Sequence, residues 1–129
     1  MIDDFISIYQ TYSRYAHAIA DRRLRDWAEE FTEDGVMVNA FGTYTGRENL
    51  YAFVTQQFSS APRTKILWSN PLIEVNGDTA TGQTEFLVVR DSAASSTGLA
   101  ITHMGRYNDL LRKEGGRWLI AERRAVNTG

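Results

Sequence analysis

Leu72-Ile73-Glu74-Val75-Asn76-Gly77-Asp78-Thr79-Ala80-Thr81-Gly82-Gln83-Thr84-Glu85-Phe86-Leu87-Val88-Val89-Arg90 reads as a β-hairpin. Two strand-forming runs, Leu72 to Val75 and Thr79 to Arg90, flank Asn76-Gly77-Asp78, and asparagine and glycine accept the positive φ that tight hairpin turns demand. Strand signals continue on both sides. Lys65 to Asn70 precedes the hairpin. The small polar run Asp91 to Thr97 reads as a loop, Gly98 to Lys113 as a long strand, and Glu114-Gly115-Gly116 turns the chain into a last strand, Trp118 to Asn127.

The N-terminal half has a different period. Phe5, Ile8, Tyr12, Tyr15, Ala16 and Ile19 fall at helical spacing and predict a helix over 3–20. A second helix is expected over about 24–31, with Leu24, Trp27, Ala28 and Phe31 on one side and Asp34-Gly35 ending it. Val36 to Phe41 carries strand signals, and Gly42 to Gly46 reads as a turn around Tyr44. A third helix is expected from about Glu48 to Phe58, broken by Ser59, Ser60 and Pro62. Three helices followed by a long antiparallel meander indicate an α+β fold. A strongly bent sheet curled around the long helix would bury the helix stripe and one sheet face together.

With 129 residues, 43% hydrophobic and 23% charged, the chain is expected to form one globular domain over 1–129. A net charge of −2 provides no global attraction to nucleic acid or to an anionic membrane. Arginines cluster at Arg22, Arg23 and Arg25 and at Arg117, Arg123 and Arg124; the acids interleaved with them make both clusters read as solvated faces. The absence of cysteine excludes disulfides, thiolate zinc sites and cysteine nucleophiles. The acidic start Met1-Ile2-Asp3-Asp4 does not look like a signal peptide, and no apolar run approaches a membrane span, so a cytoplasmic protein is expected.

A set of short motifs runs through nearly the whole chain. They are Tyr15-Ala16-x-Ala18-Ile19, Phe31-Thr32-Glu33-Asp34-Gly35, Gly42…Gly46-Arg47…Phe53 and Ser69-Asn70…Asn76-Gly77-Asp78-Thr79-Ala80. Phe86-Leu87-Val88-Val89, Gly105-Arg106-Tyr107-x-Asp109, Gly116-x-Trp118-x-Ile120-Ala121 and Arg123-Arg124 complete the set. In that order they resemble SnoaL-like proteins of the NTF2-like superfamily, whose relatives include scytalone dehydratase, ketosteroid isomerase and polyketide cyclases. The resemblance implies a cone-shaped barrel of three helices on a strongly bent antiparallel sheet, an apolar cavity at the wide mouth, a homodimer formed through the sheet, and proton-transfer chemistry without a cofactor.

Residue by residue, the resemblance transfers incompletely. The scytalone-dehydratase-like aspartate position falls on Ala20, its histidine on Trp68, and a second histidine on Arg90. The ketosteroid-isomerase-like oxyanion tyrosine falls on Tyr15, and its general-base aspartate on Asn39. Asp21 is turned by about 100° from Ala20 on a helix, which aims it away from the family position. His103 is the remaining titratable candidate, because it alternates with Gly105 and Tyr107, whose family positions face the cavity. Tyr15, Asn39 and His103 are therefore the candidate catalytic residues. Trp68, Tyr107, Phe41, Met37, Phe86, Val88 and Arg90 are the candidate substrate-binding residues: an aromatic and aliphatic lining, with Arg90 suited to a carboxylate or enolate at the mouth. Each has a purely structural alternative. Tyr15 could be a satisfied core residue, His103 a dimer-interface or satisfied core residue, Trp68 could fill the cavity, and Arg90 could be a solvated strand end. His17 falls off the apolar stripe and reads as exposed. No metal is expected, since two histidines lack any metal-ligand spacing.

Three functions compete. One is a cofactor-independent lyase or isomerase acting on a hydrophobic aromatic or polycyclic molecule. The second is a small-molecule-binding or accessory protein that kept the cone without the chemistry. The third is the small subunit of a ring-hydroxylating dioxygenase.

Overall fold

The computed structural model describes residues 2–128. Helix α1 spans Ile2–Ala20, α2 Leu24–Glu29 and α3 Arg47–Phe58; the strands are β1 Phe31–Asn39, β2 Gly42–Thr45, β3 Thr64–Asn76, β4 Thr79–Asp91, β5 Leu99–Glu114 and β6 Arg117–Asn127. They form one six-stranded sheet in the order β2-β1-β6-β5-β4-β3. Three N-terminal helices against a mostly antiparallel sheet is the α+β architecture expected from the sequence. One pairing departs from it: β1 runs parallel to β6.

Helix α1 buries Ile8, Tyr12, Tyr15 and Ile19 against the sheet. These meet Trp27, Phe31, Leu50, Val54, Leu111, Trp118 and Ile120 in one core. Asp3 and Asp4 stand in its first turn, where carboxylates favour the helix dipole. At the other end the Arg23 amide donates to the Ala18 carbonyl (2.9 Å) and the Arg22 amide to that of Ile19 (3.2 Å). This closing turn places Arg22 at φ +56°, a position that glycine usually occupies.

The structure revises three sequence-derived boundaries. The second helix ends at Glu29, so Phe31-Thr32-Glu33-Asp34-Gly35 is strand rather than helix end. Phe31 pairs with Ile120 and Val36 with Glu122, and the irregularity between them absorbs the extra residues. A Cβ at Gly35 would stand 2.8 Å from the Phe31 Cβ, so this bulge needs glycine. The expected turn Gly42 to Gly46 is mostly strand β2, paired with β1; the reversal occurs at Ala40-Phe41, where the Phe41 amide donates to Asn39 Oδ1 (2.9 Å). The two expected strands, Lys65 to Asn70 and Leu72 to Val75, are one strand, β3, with a shift in register between Ser69 and Leu72 and Asn70 at φ +53°. Because β3 is an edge strand, Pro71 can lack an amide without breaking a ladder.

Gly105 of β5 has no room for a side chain. A Cβ there would run into the Val126 carbonyl and lie 2.8 Å from two Phe86 ring atoms. Gly105→Ala is expected to destabilise the fold by about 1–3 kcal/mol, the usual cost of overpacking. Urea unfolding with an unchanged m-value measures it. A loss within error would show that β5 and β6 part freely there.

Candidate active site

Strand alternation and register bring the candidate residues together. Across the sheet, Trp68 stands opposite Phe86 and Phe86 opposite Gly105; one step along, Ile66 stands opposite Val88 and Val88 opposite His103. Both rows face α1, as the period of two requires. Between this face, α1 and α3 lies a cavity of about 190 Å³. Tyr15, Met37, Asn39, Phe41, Phe86, Val88, Arg90, His103 and Tyr107 all line it. Phe53, Val54 and Phe58 of α3 complete its apolar wall.

Trp68 is the exception. It does not line the cavity: its ring packs on α1, 5.8 Å from Tyr9 and 5.5 Å edge-on to Tyr12. The expected platform is instead the Phe86–Tyr107 stack, with centroids 4.2 Å apart and 16° between planes. Trp68, Ala20, His17 and Asp21 line a separate groove between α1 and β3. Ala20 and Trp68 thus both face this groove, and Ile66 borders both spaces.

His103 occupies an irregular stretch. The register shifts between Val88 and Val89, and the extra residue is Thr102. The Thr102 hydroxyl lies 3.0 Å from His103 Nδ1, which leaves Nε2 without a protein partner among the described residues. Asn39 has one amide oxygen engaged by the Phe41 amide, so its carboxamide is held by the turn that forms the cavity rim. Phe41 beside it is 68% exposed.

Beneath the cavity is a feature the sequence reading missed. Arg123, placed on a solvated face by its charged neighbours, is 1% exposed. Its Nε and a terminal nitrogen donate to the two carboxylate oxygens of Asp109, both at 2.8 Å. The guanidinium carbon lies 3.8 Å from the Tyr107 ring centre, 4.5 Å from that of Tyr15 and 5.1 Å from that of Tyr12. Burial alone would lower the Arg123 pKa, but Asp109 more than offsets it, so the guanidinium stays charged. Burial, with the neighbouring Tyr15 phenol, pushes Tyr107 well above the usual phenol range. Tyr107 therefore remains a neutral hydrogen-bond donor. A signal was available: Asp109 shares the inward alternation of His103, Gly105 and Tyr107, and a buried carboxylate requires a cation.

The cavity thus offers two phenols on its floor over a fixed cation, one imidazole on its wall, and aromatic and aliphatic surfaces elsewhere. Phenols can hydrogen-bond an oxygen that gains negative charge, and an imidazole can move a proton. Among the described residues no group of three histidines or carboxylates is placed to hold a metal, and no helix is long and apolar enough to cross a membrane.

Residues 2–124 match the SnoaL-like domain. The chain belongs to the SnoaL-like family. Rv3472 of Mycobacterium tuberculosis, a protein of unknown function, superposes with a TM-score of 0.90 at 32% identity, covering 97% of this chain and 72% of that one. A proposed scytalone dehydratase from Novosphingobium aromaticivorans gives a TM-score of 0.87 at 19% identity, over 99% of this chain and 86% of that one. ActVI-ORFA from Streptomyces coelicolor gives 0.83 at 16% identity, over 95% and 96%. At such identities the last two establish shared fold alone, and folds of this kind host many chemistries. No curated protein matches the sequence. Within the SnoaL-like family, then, this chain has the expected fold.

Proposed function

We propose that the protein is a cofactor-independent lyase or isomerase that moves a proton on a small aromatic substrate held in the 190 Å³ cavity. The observation that carries this reading is the convergence of His103 with the phenols of Tyr15 and Tyr107 in one apolar space. In this mechanism the substrate carbonyl lies on the phenols, which stabilise the enolate oxygen as it gains charge. His103 Nε2 takes the proton from the adjacent carbon and returns it to another atom. Arg123 strengthens the phenols as donors by lying under their rings, and Asp109 holds it there. Asn39 braces the rim.

A substrate-independent assay tests this. A two-ring enolisable ketone, 2-tetralone, incubated with the protein in D2O should exchange its carbon-bound protons faster than buffer alone allows, as read by NMR. Tight ketone binding with no acceleration would favour the small-molecule-binding reading instead.

The assembly we propose is a homodimer through the outer sheet face. There Leu72 is 70% exposed, Ile101 63%, Leu110 49% and Met104 48%. Exposed apolar side chains on a sheet face are of the kind that marks an interface, and here the Glu85–Arg106 and Gln83–Asn108 pairs stand between the Met104 and Leu110 ends. Light scattering at micromolar concentration should report twice the 14.6 kDa chain mass. Leu110→Glu should shift the protein to monomer. A wild-type monomer mass rules the interface out.

A further inference from the structure

Ten arginines form ion pairs with carboxylates; among the described residues Arg22 and Arg90 do not. These two converge on one short segment at the cavity mouth. Arg90, which lines the cavity, donates from Nε to the Thr64 hydroxyl (3.2 Å), which donates in turn to the Pro62 carbonyl (2.7 Å). Arg22 donates to that same Pro62 carbonyl (2.7 Å), and its guanidinium lies 4.7 Å over the Phe58 ring, which is part of the cavity wall. The acids adjacent to them in sequence are engaged by other arginines: Asp91 by Arg63 at 2.9 Å and Asp21 by Arg23 at 3.4 Å. Burial and then the charge of Arg90 hold the Arg22 guanidinium below its usual range. Two like charges brought together without a counterion oppose each other, and Arg22 occupies a backbone position that glycine would fill with less strain. An anion at the mouth would relieve the repulsion.

We propose that the cavity takes an aromatic carboxylate, with the ring among Phe86, Tyr107 and Phe58 and the carboxylate on the fork of Arg90, with Arg22 behind it. This rests on the reading of the cavity as the ligand site. A planar guanidinium suits a carboxylate because it can donate two parallel hydrogen bonds. The cavity is smaller than the ~300–1,000 Å³ common for ligand pockets, which limits the occupant to one or two rings.

Calorimetric titration with trans-cinnamate and with cinnamamide tests this, because the two probes share a shape and differ in charge. Wild type is expected to bind the acid at least tenfold more tightly at low salt, with the preference shrinking as salt screens the mouth. Arg90→Gln should lose the preference for the acid over the amide. Arg90→Lys, which keeps the charge and loses the fork, should retain only part of it; a full wild-type preference in that variant would overturn the two-bond contact. Equal affinity of wild type for the two probes overturns the carboxylate inference and leaves the cavity as a ligand site. A preference that survives Arg90→Gln places the carboxylate elsewhere and also overturns it. If neither probe binds, both the inference and the cavity reading fall.

Discussion

His103→Ala is expected to lower turnover by about 10²–10⁴-fold, the usual contribution of a positioned acid or base. The reason is subtraction as much as geometry. Among the residues lining the cavity, the other titratable groups are the phenols of Tyr15 and Tyr107 and the guanidinium of Arg90. Burial holds Tyr107 neutral, and a guanidinium does not give up its proton. Asn39 can accept or donate a hydrogen bond but cannot take a proton. Among the lining residues the imidazole is the kind of side chain that ordinarily exchanges a proton near neutral pH. Tyr15→Phe should lose less, because a second phenol, Tyr107, remains on the floor and proton transfer is intact. Comparing initial exchange or turnover rates of the two variants with wild type decides the matter. Undiminished activity in His103→Ala would move the proton-transfer role to the substrate itself, or to Asp21 in the neighbouring groove.

Asp109→Ala should be the most damaging single change to stability. Removing one partner of a buried pair leaves an uncompensated charge, at a cost of about 3–5 kcal/mol. Asp109 and Arg123 have side chains that are 0% and 2% exposed, so water cannot stand in without the core opening. The expected fall in Tm is roughly 10–20 °C for a chain of this size. Asp109→Leu combined with Arg123→Met should recover most of the loss, since an apolar pair of similar volume does not need paired charges. That double variant should nevertheless impair catalysis, because the cation under Tyr15 and Tyr107 is gone. Thermal and urea unfolding of the three proteins measures the first effect, and the exchange assay the second. A loss below about 1 kcal/mol in Asp109→Ala would mean that the pair is solvated in solution.

These two experiments touch residues that differ in how visible they were from the sequence. His103 was legible because the family resemblance turns Gly105 and Tyr107 inward and strand alternation makes His103, two residues away, follow. Tyr15, Met37, Phe86 and Val88 came from the family resemblance combined with helix and strand periodicity. Arg123 was misread because its neighbours on the chain, Glu122 and Arg124, are charged. Burial of a single arginine depends on what stands across the strand pair, where Asp109 is its register partner. Trp68 was placed on the right sheet face, but the depth to which α1 settles on β3 determines whether an indole reaches the cavity or meets Tyr9 and Tyr12.

The helix stripe of α1, the Asn76-Gly77-Asp78 hairpin and the alternation along β4 and β5 were set by the amino-acid sequence alone, because each depends on residues near one another in the chain. The parallel pairing of β1 with β6, the burial of Arg123 on Asp109 beneath three tyrosines, and the meeting of Arg22 and Arg90 at Pro62 belong to the folded molecule. Each joins residues far apart in sequence, and long-range pairing is selected by the packing of the whole core rather than by any local preference.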